Sequence, residues 1–155
     1  MSVSLAAALS GMAARLSTGQ LSDAEDLLEC AESLRERAEP LAQADAAAYG
    51  RVIEAQREGG DVKGALSAAA DVPLEAAEVG AEVAGIAIRL VEEGNPNLRG
   101  DALTAVLLAE AGTRAAVSLV EINLSAAGAE DDRRDQARKL GQSATAARYE
   151  VENGV

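Results

Sequence analysis

The chain has 155 residues, enough for one domain, and contains 36 alanines and 18 leucines but no Phe or Trp. Its 26 acidic and 14 basic residues give a net charge of −12, which argues against a surface for nucleic acid or anionic membranes. The absence of His and the single Cys30 exclude His-based catalytic triads, Cys/His zinc sites and intrachain disulfides. Acid–base chemistry must therefore use Asp, Glu, Lys or Tyr.

The longest uncharged run extends from Met1 to Ala14 and is too short to span a membrane. It also lacks the basic segment that begins a signal peptide, so we predict a buried helix there and no membrane association. A single cysteine is typical of a reducing compartment, and the expected location is the cytoplasm.

Turn and capping residues divide the chain into five predicted helical stretches, and alanine is the strongest helix former. These stretches are Val3 to Leu16, Ser22 to Gln56, Val62 to Glu93, Ala102 to Leu124 and Ala129 to Glu152. Ser22 and Glu25 form a capping-box pattern at the second start. Apolar spacing of three and four continues past Pro40, which predicts a kink there and not two helices, and a bend is expected near Pro73. We predict an all-α bundle of about five long helices, in one domain covering residues 1–155.

The third and fourth stretches are apolar around most of their circumference. A chain with so few large side chains offers little to cover two such helices. We therefore expect the bundle to bury additional surface by forming a homodimer.

Asp45 is the clearest candidate for chemistry, because it lies on the apolar stripe between Leu41 and Ala48. A carboxylate that lost its water there would favour its protonated form, as a general acid or base working near neutrality requires. On the pattern alone, a solvated Asp45 at the edge of the stripe, or one hydrogen-bonded to Tyr49, is the simpler interpretation.

Other polar residues have ordinary structural explanations on the sequence pattern alone. Asn123 lies among apolar residues of the fourth stretch, where an interhelical hydrogen bond would satisfy its amide. Asp101 is placed to cap the same stretch, and Asn95 lies in a loop. A basic cluster near Arg133 could receive an anion, but acidic neighbours at helical spacing favour a solvated face.

Four segments, in this order and at this spacing, resemble the cyclodeaminase/cyclohydrolase family of folate enzymes. The resemblance covers roughly Leu5 to Tyr149. The segments are Ala42 to Tyr49, similar to a D-A-D-A-E-A-F/Y helix; Asp71 to Glu75, similar to a V-P-L bend; Gly94 to Asn97 with Gly100 and Asp101, similar to a G-N-P-N…S-D loop; and Ile122 to Leu124, similar to an I-N-L helix end.

The resemblance implies a dimeric helical bundle that acts on a tetrahydrofolate derivative as substrate. We expect no covalently bound cofactor and no metal site. Cyclodeaminases of the family close formiminotetrahydrofolate to methenyltetrahydrofolate with release of ammonia, and cyclohydrolases hydrate the methenyl bridge to give formyltetrahydrofolate. The resemblance assigns the proton-transfer role to Asp45, and it implies that Asn95, Asp101 and Asn123 line the cleft and orient the folate.

Some family features are absent from this chain. It lacks the P-G-G-G-S turn before the first helix, and Gln20 stands where a basic residue often follows that helix. Gln43 and Ala47 replace two acidic positions around Asp45. The alternative interpretation is therefore a divergent or truncated, non-catalytic bundle that binds a small molecule or has a structural role.

Overall fold

A computed structural model describes residues 2–154, which form seven α-helices and one short 3-10 turn with no strand between these limits. The all-α prediction is confirmed. The helices are α1 (Ser2–Arg15), α2 (Ala24–Ala38), α3 (Leu41–Glu58), α4 (Val62–Ala68), α5 (Asp71–Glu93), α6 (Arg99–Ala127) and α7 (Arg133–Asn153), with the 3-10 turn at Pro96–Leu98 between α5 and α6.

Helices α5 and α6 form an antiparallel pair at the centre of the bundle, and α1 and α7 each pack against both of them. Small residues make this close packing possible. Gly80 of α5 lies so near Thr113 of α6 that a side chain at position 80 would overlap the Thr113 hydroxyl. Helix α2 covers α1 and α5, whereas α3 and α4 lie at the end of the bundle where α5 begins.

The predicted second stretch divides into α2 and α3, so the expectation of one kinked helix is wrong. The helical hydrogen bonds stop at a turn formed by Glu39 and Pro40, and α3 begins at Leu41. Proline has no N–H to donate and its ring crowds the preceding turn, which interrupts the hydrogen-bond ladder. The break allows α3 to leave the direction of α2 and to pack on α4 and α5.

The predicted third stretch also divides, at a turn formed by Ala69 and Ala70, and α5 begins directly after this turn, at Asp71. Pro73 lies in that first turn, where backbone N–H groups have no partner inside the helix and a proline is tolerated. The predicted bend near Pro73 is therefore a helix start, with the short α4 before it.

Two predicted caps are wrong. The capping box of Ser22 and Glu25 does not form; Asp23 precedes α2, and no side-chain hydrogen bond caps that helix. Asp23 accepts from Arg89 instead, with Nη1 2.5 Å from Oδ2, and this hydrogen bond holds the pKa of Asp23 below its usual value. Asp101 lies inside the first turn of α6, because the helix begins earlier, at Arg99. A carboxylate there is favoured by the helix dipole.

Helix α6, taken with the turn before it (Pro96–Ala127), is the one candidate membrane span among residues 2–154 by length and composition. Core helices of globular proteins pass the same test. In this bundle α6 packs against α1, α5 and α7.

Candidate active site

A cleft of about 190 Å³ opens at the end of the bundle where α1 and α5 begin. Alanine, glycine, valine and proline form most of its walls, and short side chains leave the space open. Among residues 2–154, Asp45 is the one titratable side chain that lines it, and Ser2 and Ser4 are its other polar residues. The remaining lining residues are Val3, Ala38, Leu41, Ala42, Val72, Pro73, Ala76, Gly112, Ala115, Ala116 and Leu119.

The helix breaks explain how Asp45 reaches this cleft. The turn at Pro40 directs α3 across the beginning of α5, where Val72 and Pro73 form the facing wall. Ala48 and Val52 anchor α3 because both are buried against α4 residues and Ala69. The next turn toward the N-terminus of α3 therefore presents Asp45 at the lip of the cleft.

The Asp45 side chain itself is exposed to solvent in the single chain. The carboxylate therefore keeps its water, contrary to the expectation from the apolar stripe, because no helix within residues 2–154 covers the outer side of α3. Within residues 2–154 no hydrogen bond or ion pair reaches the carboxylate, and Tyr49 does not donate to it.

Asn123 lies close to the same end of the bundle, one turn beyond Leu119 on α6. It is half-buried, and its side-chain amide donates to the carbonyl oxygen of Ala69 at 3.0 Å. That carbonyl belongs to the break between α4 and α5. The interhelical hydrogen bond predicted for Asn123 is confirmed.

Asn95 and Asp101 lie at the opposite end of the bundle. Nineteen residues separate Asn95 from Ala76 in the cleft, which corresponds to about 28 Å along a helix. Asn95 Oδ1 accepts from the backbone N–H of Asn97 at 3.0 Å, and Asn95 Nδ2 donates to the carbonyl of Leu16 at 2.9 Å. One chain therefore does not bring Asn95 or Asp101 to Asp45.

Two further charged groups are explained by the packing. Glu110 on α6 is 5% exposed, where Thr145 Oγ1 donates to it at 3.3 Å and Arg148 Nε lies 3.7 Å away. Sequence patterns did not single out this buried carboxylate, which joins α6 to α7. In the basic cluster, Arg133 pairs with Asp131 and Asp71, and Arg138 pairs with Glu121. In the described part of the chain, no group of three His, Cys, Asp or Glu side chains is arranged to hold a metal ion.

The protein is an all-α bundle with a carboxylate at the lip of a largely apolar cleft, and ligand sites of helical proteins are commonly built between packed helices. The family model described as formiminotransferase-cyclodeaminase matches residues 1–142. The chain therefore belongs to this family of one-carbon folate proteins.

Two individual proteins are similar to the chain. One is a methenyltetrahydrofolate cyclohydrolase from Methylorubrum extorquens, which is 32% identical over 140 residues, covering 79% of this chain and 67% of the relative. The other is the crystal structure of formiminotetrahydrofolate cyclodeaminase from Thermotoga maritima, with a TM-score of 0.77 and 26% identity, covering 97% of this chain and 84% of that one. The family resemblance expected from the four motifs is confirmed.

Proposed function

We propose that this protein is an enzyme of one-carbon folate metabolism that hydrolyses methenyltetrahydrofolate, with Asp45 as the general acid and base. The observation that carries the proposal is the position of Asp45, the one carboxylate that lines this largely apolar cleft within residues 2–154. The similar protein from Methylorubrum extorquens, which is 32% identical to this chain, is a methenyltetrahydrofolate cyclohydrolase.

The residues of the cleft suit this reaction. A bound folate ring would rest on the apolar walls and cover the exposed face of Asp45, which removes water from the carboxylate only when substrate is present. Asp45 then accepts a proton from the water that adds to the methenyl carbon. The protonated carboxyl returns a proton to the nitrogen that departs when the carbon–nitrogen bond breaks, and the second proton of the water is released when the formyl group forms.

Cyclodeaminase activity is the second candidate, and it is favoured by the similarity to the Thermotoga maritima cyclodeaminase over nearly the whole chain. The tetrahedral carbon is the same in this reaction, but the group that leaves is ammonia. The Asp45 carboxyl would protonate that departing amine.

We propose further that the working unit is a cytoplasmic homodimer. Six apolar residues of α6 are exposed at helical spacing, although most other apolar residues of the bundle are covered. This α6 stripe consists of Leu107, Ala111, Ala115, Leu119, Ile122 and Ala126. Within one chain, Asn95 and Asp101 are too far from Asp45 to share its cleft. If the stripe packs against a second copy, Asn95 and Asp101 of that copy can approach the cleft instead. The net charge of −12 favours no nucleic-acid partner.

The test is absorbance of the purified protein mixed with methenyltetrahydrofolate, whose conjugation is lost when the ring opens. Asp45→Asn keeps the shape of the side chain and removes its titration, so turnover should be abolished while binding is largely retained. Asp26→Asn, an exposed aspartate of α2 away from the cleft, is the matched control and should turn over normally.

Each alternative has its own outcome in this experiment. Equal turnover by Asp45→Asn and the unmodified protein removes Asp45 from the reaction. Tight folate binding without turnover in the unmodified protein indicates a non-catalytic binding module. No folate binding at all indicates a structural bundle.

A further inference from the structure

Tyr49 is an exposed aromatic side chain that no contact in the bundle explains. It is 61% exposed, the highest value among the large hydrophobic residues of the described chain. Within residues 2–154 its hydroxyl makes no hydrogen bond, and no cationic side chain lies over its ring. Tyr149, the other aromatic residue, is 54% exposed but has the Arg148 guanidinium 4.4 Å from its ring centroid.

Tyr49 lies on α3 close to the cleft, although it is not one of the residues that line it. Tyr49 follows Asp45 by one helical turn on α3, so their Cβ atoms are about 5–6 Å apart. Long side chains of a helix lean toward its N-terminus and cover the preceding turn. A Tyr49 ring in this orientation covers the turn that carries Asp45, next to a cleft whose lining within residues 2–154 contains no aromatic residue.

We propose that Tyr49 is the residue that stacks on the flat heterocycle of the substrate and selects its cationic methenyl form. This inference rests on the proposed function. The methenyl bridge carries a delocalised positive charge, and the electron-rich face of an aromatic ring attracts such a charge. Stacking also matches a flat ring to a flat side chain, which alanine and leucine walls do not provide.

The same geometry gives Tyr49 a part in product release. Hydration of the methenyl bridge removes the positive charge, so the formyl product loses the attraction to the ring face. The product should therefore bind less tightly than the substrate because of Tyr49.

Variants at both tyrosines test the proposal. Tyr49→Ala should raise the KM for methenyltetrahydrofolate about tenfold or more, with a smaller change in kcat and in the affinity for formyltetrahydrofolate. Tyr49→Phe keeps the ring face and should stay within about twofold of the unmodified protein. Tyr149→Ala is the matched control, an exposed tyrosine of α7 outside the cleft, and should leave both constants unchanged.

A direct readout comes from the ring resonances of Tyr49, because the chain contains only two tyrosines and no other aromatic residue. In Tyr149→Phe protein labelled at tyrosine, the Tyr49 ring signals should shift upfield when the methenyl compound is added, as ring stacking requires. Ring signals that do not move on saturation, or a Tyr49→Ala variant with an unchanged KM, overturn the proposal.

The outcomes separate this proposal from the proposed function. If the unmodified protein turns over folate and Tyr49→Ala does so equally well, the role of Tyr49 is wrong and the enzyme assignment stands. If the unmodified protein neither binds nor converts folate, both are wrong. A Tyr49→Ala variant that sediments as a smaller species assigns the side chain to an interface between copies and also overturns the stacking role.

Discussion

The backbone N–H of Asn95 donates to the hydroxyl of Ser17 at 2.9 Å, and this hydrogen bond joins the end of α1 to the turn between α5 and α6. Ser17 is fully buried, and its hydroxyl also donates to the carbonyl of Ala13 at 2.7 Å. The G-N-P-N segment is therefore held in place by a serine 78 residues earlier in the chain. This contact gives the turn between α5 and α6 a structural role beside any role toward a ligand.

We predict that Ser17→Ala lowers the free energy of unfolding by about 1–3 kcal/mol, because it leaves the N–H of Asn95 without a partner. Ser10→Ala is the matched control, since Ser10 is equally buried but donates only to Ala6 within its own helix. Urea unfolding followed by circular dichroism measures both. Equal losses for the two variants would contradict the role of the Ser17–Asn95 bond.

Two glycines of α5 should respond in opposite directions to the same substitution. Gly80→Ala places a methyl group against Thr113 and within 3.4 Å of the Ala109 carbonyl oxygen, so overpacking should destabilise the protein by about 1–3 kcal/mol. A methyl group added at Gly85 would meet no atom of another described helix within 4 Å. Gly85→Ala should therefore stabilise the helix by up to about 1 kcal/mol. Thermal unfolding of the two variants and of the unmodified protein measures these changes in stability. Shifts of the unfolding temperature in the same direction for both variants would contradict the prediction.

The ion pair between Asp131 and Arg133 predicts a loss of stability in acid. Hydrogen bonds from Arg133 lower the pKa of Asp131 from its usual value of 3.8 to about 2. A carboxyl with a lowered pKa in the folded state stabilises the fold above its unfolded pKa, and this contribution is lost as the pH falls from about 4 to about 2.

Asp131→Asn keeps the acceptor for the Arg133 N–H but removes the charge. The variant should be less stable than the unmodified protein at pH 7, and the difference should shrink as the pH falls through this range and vanish near its lower end. Urea midpoints measured across the range give the comparison. A difference that is independent of pH would show that the pair does not act through ionisation.

The exposed α6 stripe predicts a dimer, and a charged side chain introduced on this stripe should disrupt it. Ile122 is 60% exposed on this stripe, and Ile122→Glu should convert the dimer to a monomer in sedimentation experiments at micromolar concentration. Tyr149→Glu introduces the same charge at a comparably exposed residue on α7 and should leave the dimer intact. The dimer interface should exceed about 2,000 Å² in total. A stable monomer of the unmodified protein at this concentration contradicts the prediction.

Local patterns in the sequence determined the helical class of this protein and the approximate extent of its helices. Each of the five predicted stretches lies largely in helix, because apolar spacing of three and four and a high alanine content act within a few turns of chain. The same patterns led to Asp45 as a carboxylate on an apolar stripe, and the four short motifs led to the family.

Only the tertiary structure decided where helices end and which polar residues meet. The divisions near Pro40 and Ala69 depend on α3 and α4 finding other surfaces to pack on, which local spacing does not encode. Asp45 is exposed because no distant segment within residues 2–154 covers the outer side of α3, and it shares a cleft with Ser2 and Ser4, which lie more than 40 residues earlier. Asn95 and Asp101 lie at the other end of α5, since a straight helix separates its two ends by its full length. Burial and proximity arise from contacts between distant segments, and therefore only the assembled bundle sets them.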